Sequence, residues 1–173
     1  DYITIEDLIK EVGKDSVRFM MLNRSNEVEL DFDFEKVTEK SKDNPVFYVQ
    51  YAYARINSIF RLLKINLEDR IKTDVHKFVL NSYEIEILKK ISEWPRCVEI
   101  SLNKIEPHRI PFYLYDLVSL FHAYWNLGKD NEKFRFIQKS GDTKNSQLLL
   151  LQALSVVIKN GMSILGVSTP TSM

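Results

Sequence analysis

The stretch from Asn44 to Lys64, NPVFYVQYAYARINSIFRLLK, decides how the rest of the chain is read. Asn44-Pro45 is a helix start, because a first-turn proline gives up only an amide that has no helical partner, and the asparagine side chain accepts from the amides that follow. Val49, Ala52, Ile56, Ile59, Phe60 and Leu63 then recur at three- and four-residue steps, which predicts one core-facing stripe on a helix from about Pro45 to Lys64. A helix with one apolar face must bury it against another element.

Outward from this stretch the periodic signals stay helical. Asn81-Ser82-Tyr83-Glu84 is a capping-box pattern opening a second helix to about Trp94, with Pro95 as its stop. A third runs from about Pro95 to Ile105. After the break at Pro107 to Pro111, a fourth runs from Phe112 to Leu127, with Leu114, Leu117, Val118, Phe121 and Trp125 along one face and Gly128 as its expected end. A polar loop, Lys129 to Asn145, leads to a last long helix through Leu148, Leu151, Leu154, Val157, Ile158, Met162 and Leu165. Upstream, Thr4 to Leu22 reads as two short helices broken near Gly13, with Thr4 and Asp7 in a capping-box-like spacing. Glu27 to Phe34, EVELDFDF, alternates charged and apolar residues and fits either a short strand or an extended connector. The expected fold class is all-α, a helical bundle of about five main helices.

Lys plus Arg and Asp plus Glu balance at 24 each, so no gross charge excess points to a long nucleic acid or an anionic membrane. The balance hides an asymmetry. Asp1 to Asp43 carries 7 basic and 12 acidic residues, a balance of −5, and Asn44 to Met173 carries +5, which divides the chain into an acidic connector, 1–43, and a helical domain, 44–173. The start at Asp1, without an initiator Met, gives the chain the look of a piece of a longer protein. The apolar run Leu148 to Ile158 is about half the roughly 20 residues a membrane span needs and reads as a core helix. One cysteine, Cys97, and three scattered histidines make neither a disulfide nor a zinc site of usual spacing. The five glycines stand too far apart for a phosphate loop, and no nucleophile elbow or paired-histidine motif occurs, so a self-contained active site is not expected. The acidic strip Glu27 to Glu39 reads as a solvated face ahead of a divalent-metal site.

The helix after Asn44 carries an unusual outer face. Opposite the core stripe it collects Phe47, Gln50, Tyr51, Ala54, Ser58 and Arg61, where an ordinary solvated face would hold Lys and Glu. Aromatic rings beside small residues, an amide and a guanidinium suit stacking and hydrogen bonding of unpaired bases; packing of Phe47 and Tyr51 under a neighbouring helix fits the periodicity equally well. The block Phe121-His122-Ala123-Tyr124-Trp125-Asn126 likewise holds more aromatic and amide groups than one stripe can bury, and with Phe121 and Trp125 facing the core, His122 and Asn126 point elsewhere.

Three blocks in order, DNPVFYVQYAYARI (Asp43 to Ile56), EPHRIPFYLYDLVSLFHAYWN (Glu106 to Asn126) and QALSVVIKNGMSILGVSTPTSM (Gln152 to Met173), resemble the C-terminal part of bacterial arginyl-tRNA synthetase, with its DALR-type anticodon-binding domain. The segment Asp1 to Val37 resembles the part of this class I enzyme that follows its mobile ATP-binding loop. The resemblance implies an all-α domain that receives the anticodon arm of the arginine tRNA. It implies that ATP and arginine bind a preceding catalytic domain, whose HIGH-like and KMSK-like signatures are absent from this sequence, so that the chain alone is expected to be catalytically inactive and to hold no cofactor or metal of its own. It also implies a cytoplasmic, monomeric parent whose catalytic domain is a second partner.

Carried over residue by residue, the resemblance places the Gln50-Tyr51 block, Tyr124, Trp125, Asn126 and the terminal Met173 at the anticodon pocket. Arg55, on the turn after Tyr51, and Arg61 are the candidates for phosphate contacts. The resemblance implies that the C-terminal tail, Ser168 to Met173, lies folded against the Tyr51 and Trp125 region, and Pro170 favours an ordered tail because it lowers the entropy lost on fixing it. A reading from another class, a helical protein-interaction domain without RNA binding, remains as the alternative.

Overall fold

The computed structural model describes residues 4–25, 27–28 and 37–173. Among them it holds seven α-helices and two short 3-10 turns, and no strand. Helices α1 (Ile5–Val12) and α2 (Lys14–Leu22) meet at Gly13, whose φ of 84° is open to glycine at no steric cost. Thr4 caps α1 by accepting from the Asp7 amide at 3.2 Å, as the spacing predicts. Most of the alternating run EVELDFDF, Glu29 to Phe34, lies outside the described residues, and its first two residues, Glu27 and Val28, are in a turn and a bend.

Helix α3 (Pro45–Leu63) starts where the Asn-Pro pair predicts. The Asn44 carboxamide accepts from the Phe47 amide at 3.3 Å and donates to the Val37 and Glu39 carbonyls at 2.6 and 2.9 Å, so one side chain both caps the helix and ties the incoming chain to it. Helix α4 (Ser82–Ser92) opens with the full capping box: Asn81 accepts from the Glu84 amide and Glu84 accepts from the Asn81 amide, each at 3.0 Å. Pro95 sits in the first turn of α5 (Trp94–Lys104), where a missing amide costs nothing, so it starts one helix as much as it stops another.

Two boundaries differ from expectation. Helix α6 (Arg109–Asp130) begins before Pro111, which again occupies a first-turn position, and it runs through Gly128 instead of ending there. The absent side chain of Gly128 serves packing: a Cβ would lie 3.2 Å from the Phe134 carbonyl oxygen and 3.3 Å from Arg135 Cα, so glycine lets the following loop close onto the helix. Helix α7 (Asn145–Leu165) ends at Gly166, in the left-handed region at φ 68°, with the paired bonds of a Schellman stop from Gly166 to Ser163 and from Val167 to Met162.

Helix α6 is the hub, packing against α3, α4, α5 and α7. Its Leu114, Leu117, Val118 and Phe121 are fully buried with Val49, Ala52 and Ile56 of α3 and Leu151, Leu154 and Ile158 of α7. A Cβ on Gly161 would stand 2.8 Å from the Leu114 side chain, which marks the close crossing of α6 and α7. Helix α7 is the one described helix long and apolar enough to cross a membrane, yet its Leu151, Leu154, Ile158 and Met162 are spent on this core. Phe19 of α2 is fully buried in the same cluster, a burial worth about 2 kcal/mol that holds the short helix on the bundle.

Candidate nucleic-acid interface

Helix α3 divides as its periodicity predicts. Val49, Ala52, Ile56, Ile59 and Phe60 are buried, and Phe47, Gln50, Tyr51, Arg55, Ser58 and Arg61 lie on the outer side, half-buried or exposed. Ala54, placed on the outer face by sequence, is 5% exposed and belongs to the packed side.

The outer residues form a continuous aromatic shelf. Phe47 and Tyr51 stack at 5.5 Å between centroids, and Tyr51 stacks on the His122 ring of α6 at 5.9 Å. The Arg55 guanidinium lies 4.2 Å from the Tyr51 centroid and 4.8 Å from that of Trp125, so it touches two rings on two different helices. Its nitrogens donate to the Tyr51 hydroxyl at 2.9 Å and to His122 Nδ1 at 3.3 Å. Because the arginine can only donate, His122 Nδ1 is the acceptor, and Nε2–H donates to the Tyr48 carbonyl at 3.2 Å. Burial pushes the His122 pKa down to about 4; the Tyr48 carbonyl opposes the shift and the Arg55 charge adds to it. His122 is thus a neutral wedge behind the shelf, 3% exposed, and supplies no surface for a ligand to touch. Arg55 has no carboxylate partner among the described residues.

Tyr124 and Trp125 part company. Tyr124 is fully buried, its hydroxyl donating to the Glu84 carboxylate at 2.8 Å and accepting from Asn81 and Gln147 at 3.1 and 3.0 Å. Burial first, and then the hydrogen bond from its hydroxyl to Glu84, push its pKa up to about 12. Tyr124 is therefore a core residue, a correction to its place among the candidate pocket residues. Trp125 is only partly buried, packing its edge on Phe121 at 5.9 Å while its ring meets Arg55. Asn126 is exposed, and Ser58 spends its hydroxyl on the Arg55 carbonyl at 2.7 Å.

The tail folds back along α3. Gln50 donates to the Ser168 carbonyl at 3.1 Å and to the Asp15 carboxylate at 3.0 Å, and Asp15 also accepts from the Ser168 amide at 3.2 Å and from its hydroxyl. Further along, Arg61 donates to the Thr171 carbonyl at 2.7 Å. Met173 is 58% exposed at the end of this strap. Sequence reading missed Asp15, because a carboxylate in the first turn of α2 already has an ordinary role beside the helix N-terminus; its second role depends on a contact 153 residues away. Among the described residues no group of His, Cys, Asp or Glu side chains is arranged to hold a metal ion.

The family model of the DALR anticodon binding domain matches residues 49–173 of this chain. The chain belongs to the DALR anticodon-binding domain family. All of it aligns with arginine–tRNA ligases, at 57% identity over 173 residues for that of Pelagibacter ubique (strain HTCC1062) and 48% over 181 residues for that of Rhizobium etli (strain CIAT 652). It spans about a third of the length of these curated relatives, 30% and 31% respectively. In fold this DALR domain matches a chain from Campylobacter jejuni described as an arginyl-tRNA synthetase, with a TM-score of 0.84 and 24% identity over all of this chain and 36% of that one.

Proposed function

We propose that this DALR domain binds the anticodon arm of arginine tRNA as part of an arginine–tRNA ligase of the cytoplasm. Unpaired loop bases stack on the shelf of Tyr51 and Trp125, Arg55 and Arg61 meet backbone phosphates, and Gln50, Asn126 and the tail ending at Met173 border the site. The observation that carries the reading is Arg55, a half-buried guanidinium held between two aromatic rings with only neutral acceptors among the described residues, which leaves its charge for an anion. On this reading the ligase reaction itself falls to the part of the longer relatives that this chain does not span.

Mobility shift with an arginine-tRNA anticodon stem-loop tests the reading. Neutralising Z phosphates of unpaired RNA gives a log–log salt slope near −0.7 Z, so binding should weaken steeply above about 0.15 M salt. Absence of any shift at low salt would favour the protein-interaction alternative. Deleting Thr169 to Met173 should weaken binding while leaving the helical circular-dichroism spectrum intact, and unchanged affinity would remove Met173 from the site.

A further inference from the structure

We propose that the cavity that Trp125 lines is a second nucleotide site, so that this one indole borders the sites of two unpaired bases of the same loop. The proposal rests on the RNA-binding reading above. The cavity, about 390 Å³, opens between α3, the C-terminal end of α6 and the loop that follows it. Leu62, Trp125, Phe134 and Ile137 form its walls, and Lys129 and Arg135 stand among its lining.

Its chemistry is that of a nucleotide more than of a peptide or a lipid. Leu62 is 74% exposed on a helix face where Lys or Glu would be ordinary, and it supplies an aliphatic wall opposite aromatic ones. Lys129 is exposed, and Arg135 is held by a 2.7 Å bond from its Nε to the Gly128 carbonyl; neither has a carboxylate partner among the described residues. An apolar, partly aromatic slot with two uncompensated cations fits a flat base followed by its phosphodiester. The volume lies at the small end of ligand pockets, room for one nucleotide.

The cavity and the shelf share Trp125. This residue lines the cavity while carrying the Arg55 guanidinium 4.8 Å from its centroid. The far wall exists because of Gly128: the close approach of Phe134 and Arg135 to the helix at that position brings the loop's apolar residues over the end of α6. The polar loop between α6 and α7 thereby becomes a recognition element.

The experiment uses arginine-tRNA anticodon stem-loops carrying one abasic nucleotide at each unpaired position in turn. They are titrated against the chain and its Tyr51→Ala, Leu62→Ala and Lys129→Ala variants, the last two at exposed positions. Two loop positions should each lose about fivefold or more on base removal. The loss at one should vanish in Tyr51→Ala; the loss at the other should vanish in Leu62→Ala and persist in Tyr51→Ala. Lys129→Ala should flatten the salt slope by about 0.7. A single sensitive position, or a second one still fully sensitive in Leu62→Ala, overturns the second site and leaves the anticodon reading standing. Failure of the unmodified chain to bind any stem-loop overturns both.

Discussion

Two polar clusters flank the aromatic end of α6, one around Glu84 and one around Arg55, and they are built on opposite terms. The Glu84 carboxylate is 2% exposed and accepts from the Asn81 amide, the Tyr124 hydroxyl and Gln147 Nε2, at 2.8 to 3.1 Å. Its charge is spent inside the protein. The Arg55 guanidinium is half-exposed, and its acceptors, Tyr51 Oη and His122 Nδ1, are both neutral. A buried network, complete but for Gln147 Oε1, fixes how α4, α6 and α7 meet; an open one keeps binding capacity at the surface.

The sharpest way to break this contrast is Tyr124→Ala. It removes a fully buried ring and leaves Glu84 short of a donor, so stability should fall by about 3 to 5 kcal/mol in urea unfolding. A loss below about 1 kcal/mol would show that the network is not what holds these helices together. His122, which belongs to the open cluster but lies beneath it, comes next. Its folded pKa of about 4 lies below the ordinary 6.5, so between these values the unfolded chain binds a proton that the folded one refuses. Stability from this group is complete above pH 6.5 and should drop by about 2 to 3 kcal/mol as pH falls to 4. His122→Gln should remove that part of the slope, and an unaltered pH profile would mean that the folded chain protonates this ring as readily as the unfolded one.

Smaller effects belong to the exposed rings and charges. Tyr51→Ala should cost about 1 to 3 kcal/mol in stem-loop affinity with little change in thermal midpoint; a large fall in midpoint instead would group Tyr51 with Tyr124. Arg61→Ala should flatten the salt slope by at most about 0.7, and an unchanged slope would mean that Arg61 serves only its bond to the Thr171 carbonyl.

Local signals were read correctly where the physics is local. The Asn81–Glu84 capping box, the Asn44-Pro45 start and the two short helices around Gly13 depend on residues within a turn of one another. The periodic stripes of α3, α6 and α7 also gave the core, since burial follows helical geometry. Reading failed where one residue answers to a distant one. Gly128 carries the composition of a helix stop, but what decides its place is the loop at Phe134 and Arg135 pressing against it. Tyr124 and Trp125 are neighbours in sequence, and the stripe that put Trp125 in the core gave no hint that Tyr124 would be the fully buried ring. That outcome depends on Glu84 and Gln147, which lie 40 and 23 residues away. The shelf was legible as a face of α3, whereas the cavity beside it was not, because its walls come from a loop whose own sequence reads as polar.

The bonds that α2 makes to the far end of the chain have a kinetic consequence. Arg18 donates to the Leu165 carbonyl, and Asp15 accepts from the Ser168 amide, so the helix near the beginning of the chain closes the last turn of α7 and the start of the tail. Segments that open together exchange their amide hydrogens at a common rate. The amides of α2 and the Val167 and Ser168 amides should therefore share one opening event, and fraying of the tail should stop at Ser168 until α2 itself lets go.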